Sequence, residues 1–379
     1  MTAAYDVAVV GGGLVGLTAA WHLAQDGASV VLLEAGDLGA EASGANAGSL
    51  HLQIQYPEFV KYGDDWARAY VPTLRFLAAS IDLWQEMSEA VGEDLNVRVK
   101  GGIVVARTDE QMRAIAAKAR IEASVGIVSE VLGREELRAV APYLSDAAIG
   151  GGFCAGEGKA DPLRATPALA RAAMAAGVDI RTRTAVTGIA RDAQGFALAT
   201  PGGTVRAARV VDAAGARAAE CAAMVGVPID LGGFPLQVTV TEPVAPLIPH
   251  LVYSAAGKLS LKQAPNGGCI VGGGWAARVR GDGGLATDPA NFAANMGIAA
   301  DVVPGLGQAR ALRSWTAWVN GTPDWRPIIG EAPGVPGFFL AIFPWVGFSA
   351  APMTGRVVAD LVLGRAPTVP LEGISVLYD

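Results

Sequence analysis

The sequence contains little charge and little cysteine for its length. Charged side chains make up 17% of the 379 residues and hydrophobic ones 51%, which is typical of a well-buried globular protein and argues against disorder. The 36 acidic residues outnumber the 29 lysines and arginines, which form no cluster, so no nucleic-acid-binding surface is indicated. The cysteines are scattered and belong to no CxxC or Cys/His cluster: Cys154, Cys221 and Cys269. They predict neither a disulfide framework nor a metal site, and they suit a reducing, cytoplasmic setting.

The sequence also lacks a recognisable targeting or membrane-spanning segment. No basic region precedes the first predicted strand, which contains Asp6, so no signal peptide is expected. The stretch 332–355 carries no charge, but its prolines are incompatible with a regular spanning helix. We predict a buried strand followed by a loop in that stretch. We expect a cytoplasmic protein, and any association with the inner face of a membrane would be through a partner.

The N-terminal stretch YDVAVVGGGLVGLTAAWHLAQDGASVVLLEAG, residues 5–36, has the pattern of a βαβ unit with a GxGxxG motif. Gly11 permits the turn from strand to helix, Gly13 lets a pyrophosphate approach the backbone, and Gly16 allows close packing of helix on sheet. The helix N-terminus then offers amide donors to phosphates. Glu34, at the end of the second strand, is suited to accept hydrogen bonds from both ribose hydroxyls and would repel a 2′-phosphate. The motif predicts a dinucleotide with an unmodified ribose, and it does not separate FAD from NAD.

The remaining pattern predicts helices near 71–91, 109–125, 167–176 and 353–363, and strands at 101–107 and 178–182. A hairpin is expected from 196–200 and 204–207, with Pro-Gly-Gly at its turn. Strand-like runs alternate with glycine and proline turns between 234 and 275, which indicates an antiparallel sheet and a second domain of different architecture. The length of the chain also favours two domains.

The segment after Glu34 resembles the D-amino-acid-oxidase-like family of FAD-dependent amine oxidoreductases. The matching stretch is AGDLGAEASGANAGSLHLQ, residues 35–53. In that family a loop of small residues wraps the pyrophosphate and the flavin, and small residues suit a backbone that lies against a flat ring. The resemblance implies cofactor contacts from this loop at Ala35, Ser43, Gly44, Asn46, Ala47 and Gly48.

Two further segments match the same family in the expected order. VVDAAGARA, residues 210–218, resembles the return to the FAD domain and implies that Ala214 and Gly215 approach the cofactor. TPDWRPIIGEAP followed by FPWVGFSAAPMTG resembles the C-terminal signature, in which helix-end amides meet the flavin pyrimidine edge and stabilise its negative charge. The implied contacts there are Gly347, Phe348, Ser349 and Ala350, and a further one is Val186. The implied cofactor is FAD, bound non-covalently.

The resemblance covers nearly the whole chain and implies an α/β fold. We expect a Rossmann-like FAD-binding domain of the glutathione-reductase-like kind, D-amino-acid-oxidase branch, with a second, antiparallel-sheet substrate domain. The FAD-binding domain would be discontinuous, comprising 1–75, 145–220 and 323–379. The substrate domain would comprise 76–144 and 221–322.

One position departs from the family pattern. Amino acid oxidases of the family often carry Arg-Pro just before the TPD-like turn, and that arginine clamps the substrate carboxylate. Val319 and Asn320 stand there in this sequence, so a simple glycine or D-alanine oxidase is disfavoured. The surrounding motifs look more like flavin subunits of opine, D-hydroxyproline and hydrogen-cyanide-forming glycine dehydrogenases, which pass electrons to a partner or a quinone.

His51 is the most notable polar residue near the flavin loop and is the candidate catalytic and substrate-binding residue. It would orient a substrate carboxylate or accept a proton near neutral pH. A hydrogen-bonded structural histidine is the alternative. Gln53 and Gln55 alternate with apolar residues, so we predict a strand whose polar face they share with His51.

Other substrate-site candidates lie in the second domain and near the C-terminus. Lys262, in the strand-like run LSLKQ, would face the flavin or lie at the surface, and the surface position is the more common outcome. Arg313 and Gln263 are weaker candidates. The tryptophans would shape an apolar cavity or pack in the core: Trp315, Trp318, Trp325 and Trp345.

The implied reaction is oxidation of an amino acid C–N bond, with a secondary amine preferred, by hydride transfer to flavin N5. It gives an imine, and the electrons pass to a partner subunit, a quinone or oxygen. Positioning and exclusion of water matter more for such chemistry than a strong base. The alternatives are a glycine, D-amino acid or sarcosine-type oxidase that uses oxygen, an FAD enzyme acting on modified tRNA bases, and a partner subunit with a degenerate flavin site.

Overall fold

The computed structural model describes residues 4–375 and residue 377. Two eight-stranded sheets dominate it, and short strands form two smaller sheets of two and three strands. The strands, in chain order, are β1 (Ala4–Val10), β2 (Val30–Leu33), β3 (Ser49–Leu50), β4 (Arg98–Val99), β5 (Gly102–Ala106), β6 (Ser129–Gly133), β7 (Gly150–Cys154), β8 (Gly158–Lys159), β9 (Asp179–Arg181), β10 (Gly188–Asp192), β11 (Gly195–Thr200), β12 (Gly203–Asp212), β13 (Gly232–Pro243), β14 (Leu251–Ser254), β15 (Ser260–Gln263), β16 (Gly268–Gly272), β17 (Arg278–Val279), β18 (Leu285–Ala286), β19 (Ala311–Gly321), β20 (Ile328–Glu331) and β21 (Phe338–Ile342).

The helices cover the faces of these sheets and connect them. They are α1 (Leu14–Gln25), α2 (Ala42–Ala45), α3 (Tyr56–Val91), α4 (Asp109–Ala123), α5 (Arg134–Val140), α6 (Pro162–Ala175), α7 (Ala218–Ala223), α8 (Pro289–Val302) and α9 (Gly347–Val362). Within the described residues, no helix combines the length and the apolarity needed to cross a membrane.

The first sheet is built around the N-terminal βαβ unit, as the sequence predicts. Its strand order is β10-β11-β12-β1-β2-β9, and β21 adds to β12 and pairs with β20. β1 pairs in parallel with β2 and with β12, so Val9 lies opposite both Leu32 and Val211. These strands are continuous apolar runs because helices or strands cover both of their faces. The predicted hairpin is confirmed as β11 and β12.

Alternate residues along the strands of the first sheet pack into two different hydrophobic cores. Val7, Val9 and Leu32 pack against a core formed with α1, α3, α6 and α9, whereas Ala8 and Val10 pack on the other side. α9 approaches α1 so closely that a Cβ on Gly355 would lie 2.6 Å from Thr18. This packing places the N-termini of α1 and α9 at the same end of the sheet, beside the carboxyl end of β1.

The second sheet confirms the predicted antiparallel architecture, with one exception. Its order is β19-β13-β16-β15-β14-β5-β7-β6, and only the pairing of β14 with β5 is parallel among its described pairs. β7 belongs to this sheet although its residues fall inside the segment 145–220 that we assign to the FAD-binding domain. The domain boundaries stay a prediction, and β7 is the strand that departs from them.

Several helix ends differ from the expected positions. α3 begins at Tyr56 rather than near 71, and Gly63, with a φ of +79°, interrupts it. α6 begins at Pro162, where Asp161 caps it by accepting a hydrogen bond from the amide of Leu163. α9 begins at Gly347, ahead of its internal proline. Residues 51–55 form no strand, so the predicted polar strand face at that position is wrong.

Candidate functional site

The glycine-rich turn has the geometry that its motif predicts. Gly11 has a φ of +110°, and a Cβ there would lie 2.4 Å from the carbonyl oxygen of Ala213. A Cβ on Gly16 would lie 2.0 Å from the carbonyl oxygen of Gly11, so only glycine lets α1 pack this closely. Gly13 is the extended N-cap residue of α1 and provides no side-chain cap. The turn therefore brings the first amides of α1 next to the ends of β1 and β12.

Glu34 lies against this turn. Its carboxylate accepts hydrogen bonds from the amides of Gly12 and Gly36, both at 2.6 Å. Its backbone oxygen accepts from the amide of Thr184, which brings the segment containing Val186 alongside. Val186 packs at the edge of the second core of this sheet. The contacts of Glu34, Ala35 and Val186 with a cofactor stay predictions.

Polar side chains of the small-residue loop fix its backbone through hydrogen bonds. The Ser43 hydroxyl accepts a hydrogen bond from the amide of Leu14 at 2.8 Å and so ties the loop to the start of α1. The Asn46 side chain accepts from the amide of Gly48 and donates to the carbonyl oxygen of Ser43, both at 2.6 Å. Gly44 packs against the backbone of Gly39, since a Cβ would lie 2.4 Å from its oxygen. The loop, Ala47 included, is thus held in a defined shape in front of α1.

The turn after β12 and the start of α9 complete the surroundings of this loop. The amide of Ala214 donates to Asp212, whose carboxyl pKa burial raises to about 8. Gly215 has a φ of +59°, and a Cβ at Gly215 or Gly347 would meet no atom within 4 Å. α9 has no side-chain cap and no acidic residue in its first turn, which includes Phe348 and Ala350. Two helix N-termini therefore flank an open backbone surface, and neither has a side-chain cap from its own N-cap residue.

Ser349 connects α9 to the segment that contains His51. Its hydroxyl donates to the carbonyl oxygen of Ser49 at 3.1 Å and accepts from the amide of His51 at 2.8 Å. Ser80 and Trp84 of α3 donate to the carbonyl oxygen of Ser349. The sequence did not show this role for Ser349, because its partners lie about 300 residues earlier in the chain.

His51 is half-buried and hydrogen-bonded through Nδ1. The Tyr253 hydroxyl lies 3.0 Å from Nδ1, and the Gln55 amide nitrogen lies 3.5 Å from it. Burial and the Lys262 cation lower the pKa of His51 to about 3. These surroundings favour the neutral imidazole, and the roles expected of His51, orienting a substrate carboxylate or accepting a proton, stay predictions. Nε2 has no hydrogen-bond partner among the described residues.

Gln53 lies apart from His51 and Gln55. It is buried, and its amide nitrogen donates to Glu157 at 3.0 Å while its amide oxygen accepts from Lys118 at 3.1 Å. Gln53 therefore belongs to a buried polar network beneath the segment rather than to a face that it shares with His51. Its role as a substrate residue stays a prediction that these contacts do not favour.

Lys262 is buried, so its predicted surface position is wrong. It is 2% exposed, and its ammonium group donates to the hydroxyl of Ser49 on β3. Burial, followed by the neighbouring Lys159 cation, lowers the pKa of Lys262 to about 7. Gln263, the next residue, accepts hydrogen bonds from the amides of Leu247 and Ile248 and is structural. Arg313 is exposed.

The tryptophans divide between two faces of β19. Trp345 stacks on Trp325, with ring centroids 5.1 Å apart, and lies 4.4 Å from the ring of Phe234. Phe234 pairs with Val319, so an aromatic side chain lies beside the expected position of the clamping arginine on the same face of the sheet. Trp318 lies on the opposite face of β19, because side chains alternate along a strand. Trp315 lies on the Val319 face and donates to the carbonyl oxygen of Ala45 at 2.6 Å.

The burial of Lys262 predicts a pH dependence of stability. Its folded-state pKa of about 7 lies below its ordinary 10.5, so the unfolded chain binds this proton more tightly. The free energy of unfolding should therefore rise between these pH values, with a contribution on the order of 3–5 kcal/mol from Lys262. We expect Lys262→Met to remove that rise in denaturant unfolding series at pH 7 to 10, and the exposed Lys258→Met to retain it. If the free energy of unfolding rises equally with pH in both variants, the buried position of Lys262 is contradicted.

The donor set of the site fits FAD. The α1 amides suit the pyrophosphate and the Glu34 carboxylate suits the ribose hydroxyls. The α9 N-terminus offers amides to a group that carries negative charge. Lys262 and His51 lie beyond the loop, where β15 and β14 of the second sheet face it. No metal ligand is needed for this arrangement.

Comparison with known proteins supports the same cofactor. A family model described as FAD-dependent oxidoreductase matches residues 6–361. Glycine oxidase from Geobacillus kaustophilus is 32% identical over 99% of this chain and 97% of its own length. A subunit of opine oxidase from Rhizobium meliloti is 29% identical over 88% of this chain and 87% of its own. The structure of L-proline dehydrogenase from P. horikoshii has a TM-score of 0.86 and 25% identity, covering 100% of this chain and 97% of that one.

These matches extend over almost the full length of the chain, and they confirm the expected fold class and FAD as the cofactor. The match covers the glycine turn, the Ser43–Gly48 loop and the α9 N-terminus, which we call the FAD-facing surface because they carry the predicted cofactor contacts. The chain belongs to the family of FAD-dependent oxidoreductases.

Proposed function

We propose that this oxidoreductase oxidises the C–N bond of an amino acid that carries a secondary amine, such as an opine or a hydroxyproline. The observation that carries the proposal is the apolar position of Val319. Val319 lies opposite Phe234, and Trp345 packs on the same face of β19, where a Cβ on Gly321 would lie 2.3 Å from its ring. This apolar surface of Val319, Phe234 and Trp345 suits a carbon substituent on the substrate better than a bare carboxylate.

The similar proteins support the same substrate class. One is named as an opine oxidase component and another as an L-proline dehydrogenase, and opines and proline are both secondary amines. The reaction removes a hydride from carbon and a proton from nitrogen and gives an imine. FAD, when bound, accepts the hydride.

The residues of the site favour a neutral substrate amine. His51 is uncharged, because its pKa lies at about 3, and the Lys262 cation lies close enough to help lower it. Lys262, whose pKa burial lowers to about 7, is partly protonated at neutral pH, and its charged form would repel a substrate ammonium group in this buried setting. The site thus selects the amine form that has a free nitrogen lone pair, which is the form able to release a hydride.

We propose further that the electrons leave through a second subunit or a quinone, and that the flavin is held non-covalently. The similarity to a protein named as one of the subunits of an opine oxidase supports a multi-subunit assembly. The three cysteines are free and buried, and none belongs to the loop or helix N-termini that form the FAD-facing surface.

A second candidate is a glycine or sarcosine-type oxidase that reduces oxygen. The 32% identity to a glycine oxidase over almost the full length favours it. It differs from the first proposal in its electron acceptor and in the size of its preferred substrate.

The test is anaerobic reduction of the flavin in the purified protein. Octopine, nopaline, hydroxyproline, proline, sarcosine, glycine and D-alanine would be mixed with the protein, and the loss of flavin absorbance would be followed. We expect the opines or the proline derivatives to bleach the flavin fastest. Faster bleaching by glycine or D-alanine would select the second candidate, and bleaching by none of them would reject amine oxidation.

The acceptor is tested with the substrate that reduces the flavin best. Turnover would be measured with oxygen alone and with a soluble quinone or an artificial dye. We expect turnover with the quinone or dye to exceed turnover with oxygen by at least about tenfold. Comparable rates with oxygen would support the oxidase.

A further inference from the structure

The small-residue loop contains the one-turn helix α2, whose last carbonyl groups need hydrogen-bond donors from outside the helix. The carbonyl oxygen of Ala42 accepts from the amide of Asn46 at 3.0 Å, and that of Ser43 accepts from the Asn46 side chain at 2.6 Å. No backbone amide of the described residues donates to the carbonyl oxygen of Ala45. The loop therefore satisfies two of these oxygens by itself and leaves the last one to another part of the chain.

Trp315 of β19 supplies the missing donor. Its indole Nε1 donates to the carbonyl oxygen of Ala45 at 2.6 Å, although the two residues are 270 positions apart. β19 is the edge strand of the second sheet, and Trp315 lies opposite Val238 of β13. The next residue, Ser314, forms a 2.7 Å hydroxyl contact with Thr239 across the same two strands. The indole thus extends from a strand of fixed register to a loop of the other half of the molecule.

A second contact with the same sheet lies just beyond the loop. The Ser49 hydroxyl accepts a hydrogen bond from Lys262 and lies 3.2 Å from the Ser260 hydroxyl, and both partners belong to β15. The contacts at Ala45 and at Ser49 lie on either side of residues 46–48, which carry three of the predicted cofactor contacts. The second sheet therefore holds this part of the loop at both of its ends.

The shape of the loop matters for FAD because the loop would bind the cofactor through its backbone. A segment of glycine, alanine and serine has many accessible conformations, and ordering it costs conformational entropy. The apparent affinity for a ligand falls in proportion to the fraction of time that a protein spends in its binding-competent form. A hydrogen bond that holds the loop in that form before FAD arrives therefore increases the affinity.

We propose that Trp315 is a positioning residue for FAD: its indole N–H fixes the end of α2 and so holds the small-residue loop in its cofactor-binding shape. The residue itself belongs to the second sheet, on the face that it shares with Val319. Retention of the cofactor thus depends on a side chain from the sheet that we predict to contact the substrate. The proposal concerns FAD binding alone and is independent of which compound the flavin oxidises.

The test is the Trp315→Phe variant, which keeps an aromatic ring and removes the N–H. FAD would be titrated into the apoprotein, and the dissociation constant would be measured from the change in flavin fluorescence. We expect the dissociation constant to rise by roughly 5- to 30-fold, because the carbonyl oxygen of Ala45 loses its donor. Hydrogen exchange of the peptide that spans 42–48 should become faster in the apoprotein, since the loop opens more often.

Trp318→Phe is the matched control, because it makes the same change on the same strand. Trp318 lies on the opposite face of β19, where a Cβ on Gly233 would lie 3.4 Å from its ring. Its indole nitrogen has no hydrogen-bond partner among residues 4–375 and 377. We expect its FAD dissociation constant and its loop exchange to stay within about twofold of the wild type. Equal FAD dissociation constants in Trp315→Phe and the wild type would overturn the proposal, and so would an equal rise in both variants.

Two further measurements separate positioning from general stability. Hydrogen exchange that accelerates throughout Trp315→Phe, and no more in the loop than elsewhere, would overturn the proposal. Replacement of Trp315 by benzothienylalanine, which has the shape of tryptophan and sulfur in place of N–H, gives a second variant if Trp315→Phe does not fold. We expect this replacement to weaken FAD binding and to loosen the loop as well. Wild-type FAD affinity in this variant would show that the N–H does not position the loop.

Discussion

Replacing Gly11 by alanine should abolish retention of FAD. The φ of +110° at Gly11 is unfavourable for any L side chain, and the added Cβ would lie 2.4 Å from the carbonyl oxygen of Ala213. That oxygen belongs to the turn after β12, where Ala213 also donates its amide to Val10. The backbone can relieve the contact only by separating β1 from β12. We expect a loss of about 3–5 kcal/mol in the free energy of unfolding.

The flavin-to-protein absorbance ratio of the purified protein measures this effect, and denaturant unfolding measures the loss of stability. Gly27→Ala is the matched control, since its φ is +90° and its Cβ would meet no atom within 4 Å. It should cost about 1–2 kcal/mol from backbone strain alone and should retain FAD. Normal flavin content in Gly11→Ala, or equal loss in both variants, would show that the close approach to Ala213 is not needed.

The features that the sequence predicts well are those set by local patterns. β1, α1 and β2 follow from an apolar run, a glycine turn and helical periodicity within about thirty residues, and α1 begins at Leu14, directly after the glycine turn. The hairpin of β11 and β12 follows from a Pro-Gly-Gly turn. The short motifs that indicate FAD are equally local. In each case the residues that decide the structure are neighbours in the chain.

The surroundings of His51 could not be predicted, because they depend on distant residues. Tyr253 lies 202 positions later in the chain and Glu157 lies about 100 positions later. The alternation of Gln53 and Gln55 with apolar residues imitates a strand. The backbone amides of Gln53 and Ile54, however, donate hydrogen bonds to the carboxylates of Glu157 and Glu122 rather than to another strand. The alternation of polar and apolar residues therefore did not identify the backbone conformation of residues 51–55.

The position of Lys262 shows the same limit. Its strand β15 lies in the middle of the second sheet, between β14 and β16, and its side chain meets β3 of the other half of the molecule. Sequence alone favours a surface lysine because lysine is rarely buried. The pairing of Lys262 with Ser49 arises only when the two sheets come together at the loop.

The pairing of Lys118 with Glu122 leads to the second large effect. Both side chains are fully buried on α4, and their charged atoms lie 2.6 Å apart. Lys118→Met leaves the Glu122 charge without its partner and removes the donor to the Gln53 amide oxygen. We expect a loss of about 3–5 kcal/mol in the free energy of unfolding, because a buried charge is left uncompensated. Arg98→Met, in an exposed pair with Asp94, should change it by at most about 1 kcal/mol.

A double variant separates the charge from the packing. Glu122→Gln keeps an oxygen that accepts from the amide of Ile54 while removing the negative charge. Lys118→Met combined with Glu122→Gln should therefore recover most of the stability lost in Lys118→Met, as measured by denaturant unfolding. If the double variant is as unstable as Lys118→Met, the loss comes from the lysine stem and from its bond to Gln53. Recovery would show that a balanced pair of buried charges holds the backbone beside His51.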